Sequence, residues 1–479
     1  MKKEVSAYLT LTLALILGIL LTLTFTLLDS VREEAIRTEI ESVMELSLFS
    51  VFGEYHKELL ERYDLFAIDS GYGSSSQNPE LVAQRLQYYL NENFTHSGTK
   101  NGYDLTSLQA KGTEISQYCL LSDREGQVLK QAILNYMKQK YGVGYLDDWI
   151  QDYSSLSSLE QNAYDVEGEW EKTNQEIRKK LEERTEALEE GEEAPLLDHP
   201  ADHVEKVKAE GSLSLALPPG KELSAREIEK SQYLSARNYH IGTGILPEDK
   251  TFLDAVTAKG FLEQYFFEKA GFFSQEKEDS YLKYQIEYLL HGKEKDRENL
   301  EETLDRILLI REGINFTYLM GSSQKQAEAD TMATLISIAC LMPEIKEPVK
   351  MVLLLAWSYA ESIQDLRILL DGNKVPLTKS DSSWNTPLSQ LISFTSYLGN
   401  YNSSQEGMEY EDYLKFFITT KNETDLLMRF MDLCEMDLRY LTGNSDFSID
   451  QCVVMLQGTT SVSSGYGGSY EITRSWYYE

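Results

Sequence analysis

At 479 residues, with 45 Lys and Arg against 78 Asp and Glu, the chain carries a formal charge of −33. That balance excludes nucleic acid and densely anionic lipid as broad partners, because both repel such a surface. The four cysteines, Cys119, Cys340, Cys434 and Cys452, are too sparse for a disulfide scaffold, and the length fits an anchor plus two or three modest domains or one large one.

The chain opens with residues 1–4, in which Lys2 and Lys3 precede an uncharged run from Val5 to Leu28. As a helix this run spans roughly 36 Å, enough for a hydrocarbon core of about 30 Å. The lysine pair predicts a cytoplasmic N-terminus, with the bulk of the chain outside the cell membrane. A cleaved signal peptide is the rival reading, but the run is longer than such segments and ends without a small-x-small site. Thr10, Thr12, Thr22, Thr24 and Thr26 fit a span, since their hydroxyls can bond back to the helix or mark a face that packs on another membrane helix.

Residues 29–63 hold no proline, and Val31, Ile36, Ile40, Val43, Met44, Leu48, Val51, Phe52, Tyr55, Leu59 and Leu60 recur near helical spacing, so the span is expected to continue as an amphipathic stalk. A head follows, its first part over residues 64–150. Leu65 to Ile68 reads as a short strand before a Gly/Ser-rich loop, and Pro79 opens a helix running to about Asn93. A strand is expected over residues 108–121 and a helix over 124–141.

Residues 151–219 read as an acidic helical insert and linker. Within them, 159–193 hold 13 acidic and 5 basic residues and few apolar ones, the pattern of a solvated helix. The remainder of the head, residues 220–479, is expected to begin with a strand over 281–290, then helices over 294–320, 324–341, 344–370 and 410–440. Residues 351–360 are uncharged but too few to cross a bilayer, so they read as a core helix. Two strands, 447–463 and 469–478, close the chain as a hairpin through Ser464-Gly465-Tyr466-Gly467-Gly468. The class is α+β: a membrane helix, a stalk, and a helix-rich head with a small antiparallel sheet.

Chemistry is sparse. No nucleophile elbow, HExxH, P-loop or dinucleotide fingerprint occurs. His199 and His203 have metal-compatible spacing inside Asp198-His199-Pro200-Ala201-Asp202-His203, but a polar linker at a helix start is the favoured reading. Glu361, behind an apolar turn and followed by Asp365 and Arg367, reads either as an acid with a raised pKa or as a structural charge paired with Arg311 or Arg367. The terminal aromatics Tyr466, Tyr470, Trp476, Tyr477 and Tyr478 suit ligand stacking or ordinary cross-strand packing. Cys340 reads as a buried free thiol, and Cys119 with Cys452 is the pair considered for a bridge. Asn93, Asn315, Asn402 and Asn422 lie in glycosylation sequons. No catalytic residue, metal or cofactor is assigned.

Three segments carry a resemblance: residues 52–69 around Glu58-Leu59-Leu60-Glu61-Arg62-Tyr63-Asp64-Leu65-Phe66, Arg311-Glu312-Gly313-Ile314-Asn315-Phe316, and Trp357-Ser358-Tyr359-Ala360-Glu361-Ser362 with Lys374-Val375-Pro376-Leu377. They resemble an uncharacterised clostridial-type family of membrane-anchored proteins associated with tight-adherence (Tad/Flp) pilus assembly, similar to enlarged TadE/TadG-type pseudopilins. The resemblance implies a non-enzymatic surface component whose membrane helix and stalk pack on other pilin-like or Tad assembly proteins. Met1-Lys2-Lys3-Glu4-Val5 lacks the glycine at which prepilins are cut, so an unprocessed accessory protein is expected rather than a filament subunit. The alternatives are a tethered adhesin or sensor head, and an envelope-acting enzyme.

Overall fold

The computed structural model describes residues 2–74, 78–96, 106–142, 166–186, 205–247, 255–402 and 404–478. The fold is α+β, and the chain divides into two compact units, each assembled from separate stretches of sequence. The first comprises residues 1–136, 238–252 and 442–479; the second comprises 137–237 and 253–441.

The first unit is built on α1 (Lys2–Phe52), a single helix of 51 residues. Every residue from Tyr8 to Val31 is exposed, and burial begins only at Ile36. Among the described residues this is the one helix long and apolar enough to cross a membrane. Its threonines bond back to their own helix, as expected: Thr12 Oγ1 donates to the Tyr8 carbonyl at 2.9 Å and Thr24 Oγ1 to the Leu20 carbonyl at 2.7 Å. The stalk does not run unbroken to residue 63. It stops at Phe52, where Gly53 and Glu54 turn the chain into α2 (Lys57–Tyr63). Glu54 fixes that turn by accepting from Tyr72 and Tyr89 hydroxyls at 2.9 and 2.8 Å and pairing with Arg85 at 2.6 Å. His56 then caps α2, its Nδ1 accepting from the Leu59 N–H.

The run at 65–68 forms only the two-residue strand β1 (Ile68–Asp69). Then come α3 (Pro79–His96), β2 (Leu108–Leu120) and α4 (Asp123–Tyr141). The terminal strands β3 (Cys452–Ser464) and β4 (Ser469–Tyr477) form the expected hairpin. β3 is the central strand: β2 pairs along one edge and β1 and β4 along the other, all antiparallel. The core lies between this sheet and the helices, where Met44, Leu48, Val51, Leu86 and Leu90 meet Leu120, Leu456 and Val462. Gly458 sits where the helices come closest. A Cβ there would lie 2.7 Å from Leu86 Cδ2 and 3.1 Å from Met44 Cε, so the close approach depends on its missing side chain.

In the second unit α5 (Val166–Glu186) and α6 (Ser212–Ala216) precede α7 (Ala255–Lys269), α8 (Gln285–His291), α9 (Asp296–Gly321), α10 (Ser323–Ala339) and α11 (Lys346–Leu370). The region expected to form one helix over 410–440 is two, α12 (Tyr410–Thr420) and α13 (Glu423–Thr442), separated where Asn422 accepts from the Asp425 N–H. α11 is the core of this unit, buried without interruption from Val352 to Leu370 and flanked by α5, α6, α9 and α10.

Two expectations are corrected here. Residues 281–290 are no strand: they end in α8, whose residues from Gln285 to Leu290 are all buried. Burial on every side erases the periodicity that separates helix from strand. The Asp296 carboxylate accepts from the Lys283 and Tyr284 N–H groups, and Gly292 at φ 63° closes the helix. The acidic helix is also not wholly solvated, because α5 packs on α11 and buries Val166, Trp170 and Ile177. Three apolar contacts are enough to dock a helix whose other positions are mostly charged.

Candidate functional site

Three of the charged residues picked out by sequence, Arg311, Glu361 and Asp365, converge in the second unit, between α9 and α11. Glu361 and Asp365 are one turn apart on α11, so their carboxylates share a face. Arg311 and Asn315 stand in the same relation on α9, and Lys379 enters from the segment after α11. All five side chains are buried. Arg311 meets a single Asp365 oxygen, Oδ2, through Nε at 3.0 Å and Nη2 at 2.9 Å. Asn315 Nδ2 donates to the same Asp365 oxygen at 2.9 Å and to Ser362 Oγ at 2.8 Å. Lys379 Nζ bridges the two acids, 2.5 Å from Glu361 and 2.6 Å from Asp365. Glu361 also accepts from the Asn385 and Thr386 N–H groups.

Two cations thus face two carboxylates, with every carboxylate oxygen hydrogen-bonded. Burial alone pushes Asp365 toward its neutral form, but Arg311 and Lys379 outweigh it and hold the carboxyl below the usual range. The Arg311 charge is likewise opposed by burial and restored by Asp365. The arrangement works as a clamp. Arg311 donates to the Pro376 carbonyl at 3.0 Å, and the Trp357 indole donates to the Thr386 carbonyl at 2.6 Å, so the irregular segment 374–386 is tied to both helices. A cavity of about 160 Å³ borders the clamp, lined by Lys374, Lys379, Ser383, Asn385 and Asn402 among others.

Of the two readings of Glu361, the geometry matches the paired structural charge, with Lys379 as the partner instead of Arg311 or Arg367. Arg311 takes Asp365, and Arg367 Nη2 donates to the Leu215 carbonyl at 3.0 Å. Lys379 carried no sequence signal, since it follows Pro376 in a segment without periodicity. Asn315, noted as a sequon and as part of the Arg311–Phe316 segment, is buried in the clamp and inaccessible to a glycosyl donor. His199 and His203 lie outside the described residues. Among the described residues no group of three or more His, Cys, Asp or Glu is placed to hold a metal. All four cysteines are buried and none forms a disulfide; Cys119 stands opposite Met455 and Cys452 opposite Asp69, so neither faces the other in the sheet. Two of the terminal aromatics pack on α1: Trp476 meets Phe49 edge-on and Tyr478 meets Phe52, with ring centroids 5.9 and 4.8 Å apart.

A second buried acid behaves differently. Glu287 on α8 accepts from the Phe273 N–H at 3.0 Å and the Tyr410 hydroxyl at 2.8 Å but pairs with no cation among the described residues, and burial pushes it up to about 7. Its folded pKa exceeds the unfolded one, so its stabilising contribution is complete below about pH 4 and is lost as pH rises through 7. Urea-denaturation midpoints are expected to fall between pH 5 and 8, and Glu287→Gln is expected to flatten that fall. An unchanged slope in the variant would remove Glu287 as its source.

No curated protein and no solved structure matches this chain. A family profile does match, over residues 190–464, more than half the chain, including α8 to α13, the ion clamp and β3. The chain belongs to that family, a family of unknown function designated DUF5702.

Proposed function

We propose that this protein is a non-enzymatic, membrane-anchored extracytoplasmic component of a Tad-like pilus or secretion apparatus, acting as a minor pseudopilin or an assembly accessory. The observation that carries the reading is α1. Its first part is an exposed apolar rod, and residues 36–52 of the same unbroken helix form one wall of an antiparallel-sheet core. A helix built this way presents a membrane-embedded face for lateral packing on other helices while holding a folded head at a fixed distance. Lys2 and Lys3 support an N-terminus in the cytoplasm. The resemblance of residues 52–69, 311–316 and 357–362 to Tad-associated proteins supports the system. A non-enzymatic role is supported by the neutralised, fully hydrogen-bonded state of the clamp to which residues 311–316 and 357–362 contribute.

Deletion of the gene in a piliated host is expected to abolish surface filaments, with recovery on return of the full-length chain. A chimera carrying an unrelated span in place of residues 5–28 is expected to restore membrane location but not piliation. Normal filaments in the deletion strain would overturn the assignment.

A further inference from the structure

The sequence from residue 452 to 470 contains no charged side chain, although the chain as a whole stands at −33. That stretch is β3, the turn after it, and the start of β4. The turn offers little besides Tyr466, which is 56% exposed and flanked by Gly465, Gly467 and Gly468, the last two at φ +94° and +108°. Such a tip is compact, uncharged and aromatic.

Its height relative to α1 is set within the first unit. The Arg32 guanidinium lies 3.5 Å from the centre of the Tyr466 ring. Farther along, Arg474 pairs with Glu41 at 3.0 Å, and the Tyr478 hydroxyl donates to the Phe52 carbonyl at 2.6 Å. β4 therefore runs in the same direction as α1, with the hairpin turn at the end nearest the apolar run. Arg32 is four residues past Leu28, a rise of about 6 Å. The polar layer on each side of a bilayer's hydrocarbon core is about 5–7 Å deep.

We propose that the β3–β4 turn, with Tyr466 at its tip, rests in the headgroup layer of the membrane that α1 crosses, so that phospholipid headgroups are the partner of this end of the sheet. Tyrosine suits that layer because its ring takes the apolar side and its hydroxyl the wet side. Arg32 brings a cation to the same height for lipid phosphate. Asp29, Glu33 and Glu34 on the adjoining turns favour a zwitterionic surface over a strongly anionic one. The head is then held against the membrane at two points, the helix and the hairpin tip, instead of swinging from one. This inference rests on the reading of residues 5–28 as a membrane span.

The test uses the full chain in phosphatidylcholine vesicles that carry bromine quenchers at graded depths. An environment-sensitive fluorophore is attached through Leu17→Cys in the span, Tyr466→Cys or Ser469→Cys at the turn, or Glu58→Cys on α2. The native thiols are buried, and Ser469→Cys leaves the Tyr466 ring in place. The Leu17 label is expected to lose emission to deep quenchers, both turn labels to shallow ones, and the Glu58 label to neither. Quenching at Leu17 with none at either turn position would overturn the headgroup contact alone. No quenching at Leu17 would overturn the span, and this proposal with it.

Discussion

Asp365→Ala is expected to destabilise the second unit by about 3–5 kcal/mol, because it strands the buried Arg311 charge and removes one of the two ion pairs of Lys379. Chemical denaturation in detergent, followed by tryptophan fluorescence, reads this directly, since Trp357 and Trp384 both donate to the Thr386 carbonyl beside the clamp. Arg311→Met combined with Asp365→Ala is expected to cost less than the two changes summed, because the second removes the charge orphaned by the first. The pH dependence has the opposite sign to that of Glu287. The folded pKa of Asp365 is depressed, so its contribution is present above the ordinary carboxylate value near 4 and is lost as pH falls below it. A midpoint for Asp365→Ala equal to that of wild type would show that the clamp contributes no net stability.

Leu48→Ala is expected to cost about 2–5 kcal/mol, the range for opening a cavity in a packed core. Leu48 is fully buried, and it belongs to the short row of α1 residues that holds the helix on the sheet. Hydrogen exchange is the informative readout. Amides of residues 36–52 are expected to lose protection in the variant, whereas those of 8–28 in detergent micelles keep theirs, being stabilised by the apolar surroundings and not by the sheet. Equal loss along the whole helix would mean that α1 behaves as one cooperative unit.

The legibility of these elements from sequence differs for physical reasons. α1 and the terminal hairpin were readable because their signals are local: an uncharged run, a 3.6-residue recurrence of apolar side chains, and a Gly-rich turn between alternating segments. α8 was not, because a segment buried on every side shows no contrast between faces. The break between α12 and α13 was missed because one capping asparagine left the apolar pattern continuous across it. Docking of α5 was missed because average composition conceals three well-placed apolar residues.

The clamp shows the same division at the level of chemistry. Sequence singled out Glu361 inside a helical run with Asp365 just after it, and it offered Arg311 as a partner for Glu361, whereas Arg311 pairs with Asp365. It carried no sign of Lys379, whose role depends on how the segment after α11 folds back.

The sequence by itself determined that this chain has one apolar span, an acidic helix-rich body and a small antiparallel sheet, because periodicity, charge and turn residues act over a few positions. Only the tertiary structure decided which charges neutralise one another, that the cysteines form no disulfide, and where along α1 exposure gives way to burial. Those outcomes depend on residues tens to hundreds of positions apart meeting at distances of a few ångströms, and no short-range pattern records them.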